Sequence, residues 1–251
     1  MLQQLREAVP SERAVHRLGT IVGVWAHPDD EAYLSAGLMA AAVEAGQHVV
    51  CVTATRGELG TPDPARWPPG RLARRREREL RSSLAALGVT DHIWLPYHDG
   101  SCAAADPSEA TRMVRRVLDD VGADTVVTFG ADGMTGHPDH IAVGRWATAA
   151  AAGTARRPRL LYATKTAAWR EAYAELHRRL PIFGPDGPPA AEAGDVAFAL
   201  ELRGAALDRK MAALLAHASQ TAGVIPAFGE AAYRAWVAGE YFVEAERADL
   251  P

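Results

Sequence analysis

Short apolar, β-branched runs recur along this chain with a helix-patterned segment between each pair, and that alternation constrains the fold more than any other feature. Thr20 to Ala26 (TIVGVWA), Gln47 to Ala54 (QHVVCVTA), His92 to Leu95 (HIWL), Asp124 to Phe129 (DTVVTF) and Arg159 to Ala163 read as strands. Glu31 to Ala45, about Arg71 to Leu87, a segment capped by Asp106-Pro107 and running to Val121, and Pro138 to Ala151 read as the helices between them. Gly46 and Gly88 supply stops. The pattern predicts an α/β fold, a Rossmann-like doubly wound and mostly parallel sheet with helices on both faces. Beyond it, Thr166 to Arg179 reads as a helix, Val196 to Leu202 as a strand and Ala205 to Ser219 as a helix, and the tail Glu230 to Pro251 as a helix followed by a strand (EYFVEA). At 251 residues and 48% hydrophobic, the chain has material for a sizeable core, and a single domain over 1–251 is expected, with a Pro/Gly-rich loop or linker around 181–193.

Charge and composition exclude several roles. A net charge of −4 leaves no basic field for phosphate backbones, so no nucleic-acid partner is expected. The dense run Arg74, Arg75, Arg76, Arg78 and Arg81 is interleaved with Glu77 and Glu79 and reads as a solvated helix face. The first twenty residues carry Arg6, Glu7, Glu12 and Arg13, and no apolar run approaches the ~18 residues that span a bilayer; a cytoplasmic protein without a membrane partner is expected. Two cysteines, Cys51 in an apolar run and Cys102 in a loop, make neither a disulfide framework nor a metal motif. A homo-oligomer is left open.

In an open parallel sheet, ligands bind outside the carboxyl ends of the strands. The loop after the first strand holds His27-Pro28-Asp29-Asp30-Glu31, that after the second Arg56-Gly57-Glu58, after the third Tyr97-His98-Asp99, and after the fourth His137-Pro138-Asp139-His140. All four clusters fall on one edge. Two imidazoles and one carboxylate are a common ligand set for catalytic zinc, with a fourth position left for water whose pKa drops to about 7. His27 and Asp30 stand three apart, and His137 and His140 repeat the spacing. Asp29 can then stand beside the ion and take the water's proton. The same donors suit Fe²⁺. Capping of a helix dipole, worth ~0.3–1 kcal/mol, is the competing reading for these acids and the favoured one for Glu31. A nucleotide site does not fit the loops, which lack G-x-G-x-x-G and the P-loop.

AHPDDE at Ala26 to Glu31 with GHPDH at Gly136 to His140 resembles the motif pair of the PIG-L/LmbE-like zinc-dependent N-acetylglucosaminyl deacetylases. The resemblance extends to TRGELG (Thr55 to Gly60), the Arg-x-x-Glu helix with LGV (Arg76 to Val89), Asp99-Gly100 and KMAALLAHASQ (Lys210 to Gln220), and covers most of the chain. It implies that His27, Asp30 and His140 ligate zinc, that Asp29 is the general base, and that His137 stays off the metal to stabilise or protonate the tetrahedral intermediate. Glu58, Arg76 and Asp99 match residues that surround the sugar. The split has a physical rationale, since Zn²⁺ held by two neutral imidazoles and one carboxylate keeps a positive charge that a second carboxylate would cancel.

The implied function is removal of an acetyl or other acyl group from an amino sugar in a small glycoconjugate. A thiol-sugar conjugate amidase of the same family, and a non-catalytic sugar- or metal-binding module, are the alternatives. One departure stands out: Thr135 occupies a position where some thiol-sugar members carry an oxyanion-binding tyrosine. His217 matches a family position but reads as a helix histidine packed near the site. His98 lies in a site-side loop, Trp67 is placed to stack on a sugar, and His16, His48, His92 and His177 read as background.

Overall fold

Every residue of β1 (Ile21–Trp25), β2 (Val49–Thr53) and β4 (Thr125–Phe129) is buried, which is why these strands read as unbroken apolar runs: both sheet faces are covered. The computed structural model describes residues 15–179, 182–183 and 187–245. Arg6 to Arg13, parts of the expected 181–193 loop, and the tail beyond 245 lie outside the described residues. With β3 (Asp91–Trp94), β5 (Arg159–Thr164), β6 (Val196–Glu201) and β7 (Gly239–Glu244), the sheet runs β3-β2-β1-β4-β5-β7-β6.

Strands β1 to β5 pair in parallel, as the alternation predicts. The last two change direction: β7 is antiparallel to β5 and to β6 and lies between them. Chain order reverses beside β1, whose neighbours are β2 and β4. That reversal opens a crevice at the carboxyl ends of β1 and β4.

The helices are α1 (Asp30–Leu34), α2 (Ala36–Glu44), α3 (Pro69–Leu87), α4 (Pro107–Val121), α5 (Pro138–Gly153), α6 (Ala167–Ala172), α7 (Ala174–Arg179), α8 (Gly204–Ala216), α9 (Ala218–Thr221), α10 (Val224–Phe228) and α11 (Glu230–Val237). α2 and α3 pack with α8, whereas α4 packs with α5, so the sheet carries helices on both sides. Caps expected from sequence form: the Asp106 side chain accepts from the Ser108 and Glu109 amides, and Gly88 ends α3 in the left-handed region; Gly122, not singled out in the sequence, ends α4 in the same way. α3 starts at Pro69, two residues before the expected Arg71.

Three expected helices are each divided. The one from Ala205 to Ser219 breaks at His217, between α8 and α9. The segment from Thr166 to Arg179 breaks at Tyr173. The one from Glu31 to Ala45 breaks at Ser35, and a long-range contact explains why. The break frees the amides of Gly37 and Leu38, which donate to the buried Glu240 carboxylate of β7 at 2.8 and 2.9 Å. It also frees the Tyr33 carbonyl, which accepts from Lys210 Nζ of α8 at 2.8 Å, while the same ammonium reaches Glu240 at 2.7 Å. Both charged side chains are fully buried. Local propensity favours one helix, but carbonyl, amides and ion pair satisfy one another only when it breaks. Removing one partner of such a pair strands the other charge, so Glu240→Ala is expected to lower the unfolding free energy by about 3–5 kcal/mol in urea denaturation; a loss below about 1 kcal/mol would show that the pair does not hold the break closed.

Candidate metal centre and its surroundings

The parallel pairing of β1 with β4 sets the loops carrying AHPDDE and GHPDH side by side. His27 leaves the end of β1, Asp30 opens α1, His137 is the N-cap of α5 and His140 lies in its first turn. His27 Nδ1 stands 3.0 Å from His140 Nε2 and 3.8 Å from an Asp30 carboxylate oxygen, and the other Asp30 oxygen is 3.4 Å from His140 Nε2. Donors on a tetrahedral ion at about 2.0–2.1 Å lie roughly 3.3 Å apart. The three donors therefore have the spacing of one ion's ligands. His137 also comes close: His27, His137 and His140 each bring a ring nitrogen within 4.8 Å of the others.

The remaining ring nitrogens are held from behind. His140 Nδ1 lies 2.9 Å from the Gly133 carbonyl, an acceptor only, and so carries a proton there. His27 Nε2 faces Asp99 at 3.1 Å and Asp139 at 3.4 Å. With protons on those outer nitrogens, two lone pairs meet across 3.0 Å, an arrangement that requires a cation or an extra proton between them. Without an ion the structure calls for that proton. Burial opposes charge on His27, yet hydrogen bonds to Asp139 and Asp99 and the charge of Asp30 raise its pKa to about 10. Burial, and then His27, push His140 down to about 4. The donor set and its electrostatics both fit a divalent cation.

Asp29 is next to the donors in sequence and is paired with a cation. Its carboxylate lies 3.4 Å from Arg76, whose guanidinium donates to the carbonyls of Pro28 and Gly57. Gly57 sits at φ +60°, and a Cβ there would stand 2.2 Å from the guanidinium. Asp29 itself holds φ 122°, a strained conformation for a residue with a side chain. The Glu31 carboxylate stabilises it, accepting the Asp29 amide at 2.9 Å. The other Glu31 oxygen accepts from Ser83 at 2.8 Å and meets His217 Nε2 at 2.7 Å, all fully buried. Burial would raise the Glu31 pKa, but His217 holds it below the usual range. Burial pushes Asp29 the other way, up to about 6, with the Arg76 cation opposing.

The structure brings Glu58 and Asp99 to the same edge, in different situations. One Glu58 oxygen accepts from the Asp99 amide at 3.2 Å and faces His98 at 3.1 Å; the other is buried without a hydrogen-bond partner. Asp99 is divided between the Leu59 amide and His27, and although burial opposes it, His27 lowers its pKa to about 2. His98 is largely exposed. Trp67 lies beneath Arg71 and Arg75, 4.8 and 4.5 Å from its ring centroid. Thr135 Oγ1 approaches His140 Nδ1 at 3.3 Å. Cys51 lies in the core, as expected, and Cys102 is buried too.

Three participants are not singled out by the sequence. Asp139, inside GHPDH, is fully buried and accepts the Gly100 and Cys102 amides at 2.7 and 3.0 Å while facing His27. Its motif was the available signal. Glu31, read as a cap, is a buried anchor. His217, with no derivable role, is the partner of that anchor 186 positions away.

Residues 22–151 match the family described as PIG-L, GlcNAc-PI de-N-acetylase. A 1D-myo-inositol 2-acetamido-2-deoxy-α-D-glucopyranoside deacetylase of Kineococcus radiotolerans is 39% identical over 170 residues, 55% of this chain and 47% of that one. The chain thus spans about half of that relative's length. The enzyme of the same description from Saccharomonospora viridis is 34% identical over 227 residues, 78% of this chain and 83% of its own. Among solved structures, an N,N'-diacetylchitobiose deacetylase from Pyrococcus horikoshii superposes with a TM-score of 0.61 at 20% identity, covering 90% of this chain and 83% of that one. A 4-carboxy-2-hydroxymuconate hydratase from Pseudomonas putida reaches 0.59 at 15% identity, covering 91% and 96%. At these identities the likeness is one of fold, which carries more than one chemistry. On the match over residues 22–151 and the extended identity to the Saccharomonospora enzyme, the chain belongs to the PIG-L, GlcNAc-PI de-N-acetylase family.

Proposed function

We propose that the protein is a metal-dependent hydrolase that removes an acetyl or other acyl group from the nitrogen of an amino sugar in a small glycoconjugate, with Zn²⁺ as the ion and Fe²⁺ as the alternative the same donors accept. One observation carries this reading: His27 Nδ1, His140 Nε2 and the Asp30 carboxylate meet within 3.0–3.8 Å, with the Asp29 carboxylate beside them and turned toward Arg76. A divalent cation bound by that set supplies positive charge that polarises an amide carbonyl and lowers the pKa of water toward about 7.

The chain's own groups do the rest. Asp29 accepts a proton from the attacking water as its oxygen bonds to the carbonyl carbon. The C–N bond then breaks, and a proton passes to the nitrogen, leaving a carboxylic acid and an amine. His137 Nδ1 accepts the Asp139 amide at 3.2 Å, so in the neutral ring Nε2 carries the proton. Burial, then the charge of His27, keep the His137 pKa below the ordinary value, which suits a neutral N–H that donates to the carbonyl oxygen as charge develops there. The partnerless oxygen of Glu58 supports a contact with a sugar hydroxyl. Arg76 is read as a positioning residue, because its two terminal nitrogens are engaged by Gly57, Pro28 and Asp29, although its buried Nε has no hydrogen-bond partner among the described residues. Asp99 is read as orienting His27 as well as bordering the sugar. The names of the relatives support an acetamido sugar. No single helix among the described residues is long and apolar enough to cross a membrane, and two free, buried cysteines fit a cytoplasmic address. A non-catalytic module has no use for an aspartate held in strain beside the donors.

Asp29→Asn is expected to retain metal in equilibrium dialysis and to lose about 10²–10⁴-fold in kcat on an N-acetyl amino sugar; full activity would end the general-base assignment. Asp29→Gly relieves the backbone and should exceed Asp29→Ala in unfolding free energy by about 1 kcal/mol, and equal stability would show that position 29 is unstrained. The base works as a carboxylate, so the rate rises with pH through its pKa and falls below it. Burial sets that value near 6 and a neighbouring cation lowers it, so the acid limb of kcat/KM is expected at or below about 6; a limb well above 6 would assign it to another group.

A further inference from the structure

Only two lysines stand against twenty-five arginines in the chain, and both are buried. Lys210 has its carboxylate, Glu240. Lys165 does not: directly after β5, its ammonium donates to the Gly239 carbonyl at 2.8 Å and lies 4.9 Å from the centroid of the Trp169 ring, with no carboxylate within ion-pair distance among the described residues. Three donors thus meet one carbonyl and one ring face. Burial, and then Lys210, push the Lys165 pKa down to about 7.

Lys165 lines a cavity of about 150 Å³ whose walls also include Tyr33, Met134, Trp169, Phe183 and Trp236, together with Asp30 and His140. A cavity of about 150 Å³ with apolar walls holds a benzene-sized group, far more than the methyl of an acetyl. The cavity's lining includes Asp30 and His140 of the donor set but not Arg76, Glu58 or Asp99. An amide laid across the donors with its sugar toward those polar residues directs its acyl group into the aromatic cavity. Resting on the hydrolase reading above, we propose that this cavity is an acyl subsite for an N-acyl group with about six heavy atoms beyond the amide carbonyl, ending in a carboxylate that completes the coordination of Lys165. The balance of the reaction is unchanged: water adds across the C–N bond, giving the amine and, here, a dicarboxylic acid.

The test compares N-acetyl-, N-pentanoyl- and N-glutaryl-glucosamine with the metal-loaded protein, the last two being equal in chain length and differing in the terminal carboxylate. N-pentanoyl is expected to exceed N-acetyl in kcat/KM at least tenfold, and N-glutaryl to exceed N-pentanoyl by a further tenfold. Lys165→Met should reduce the glutaryl-to-pentanoyl ratio at least tenfold, a ratio independent of how much active protein folds. Glutarate titrated into the wild-type protein, read by tryptophan fluorescence, gives a measure that needs no turnover: saturable quenching, at least tenfold weaker in Lys165→Met, supports the subsite even if no N-acylglucosamine is hydrolysed, an outcome that sinks the hydrolase reading alone. Turnover of N-acetylglucosamine with no gain for longer acyl groups, and no glutarate binding, overturns the subsite and leaves the hydrolase reading standing.

Discussion

The Glu31 carboxylate that accepts the Asp29 amide is the contact on which the rest of the site depends. In the turn from β1 into α1 that carries His27, Asp29 and Asp30, Asp29 takes the strain at φ 122°. Such a conformation costs of order 1–3 kcal/mol and persists only where its surroundings over-determine it. Glu31 provides that through three partners: the strained amide, Ser83 from α3 and His217 after α8. Elements remote in sequence are thereby tied to one backbone amide.

Charge is arranged around that turn in a graded way. Arg76, Glu58 and Asp99 near the donors are engaged with carbonyls, amides and imidazoles, whereas the cavity bordered by Asp30 and His140 is lined by aromatic rings and Lys165. Close behind the donors, Asp99 and Asp139 fix the outer nitrogen of His27, and the Gly133 carbonyl fixes that of His140. Outer partners of this kind set ring orientation and ligand basicity, and they matter almost as much as the donors. The carboxylates of Asp139, Asp99 and Asp30, which favour positive charge at His27, would equally compensate a cation's charge.

What was legible in the sequence was whatever depends on local pattern. Strands β1, β2 and β4 are rich in β-branched and apolar residues because both faces are covered, and Asp106 and Gly88 act where turn chemistry puts them. The four polar loops share an edge because parallel strands must place their ends together. The illegible part depends on contacts between residues distant in the chain. Nothing near Ser35 announces that Glu240 will take the amides of Gly37 and Leu38. Glu31 has the local signature of a cap, yet its partners lie 52 and 186 positions away. Arg76 reads as a sugar contact by motif, and its burial against two carbonyls appears only once α3 is docked. The antiparallel β7 between β5 and β6 was equally hidden, since a covered strand reads alike in either direction.

The two buried lysines show why composition becomes informative only after the fold is known. A chain that supplies arginine for nearly every cation has a reason to depart from it where a planar five-donor fork cannot be satisfied. At Glu240 the space between the Tyr33 carbonyl and one carboxylate oxygen suits a compact ammonium. At position 165 the neighbours are one carbonyl and the face of Trp169, too few acceptors for a guanidinium and one too few for an ammonium. The ion pair at Lys210 closes on itself and needs no ligand. Lys165 instead borders a cavity that Asp30 and His140 also line, where an incoming carboxylate oxygen would add a partner without disturbing the core.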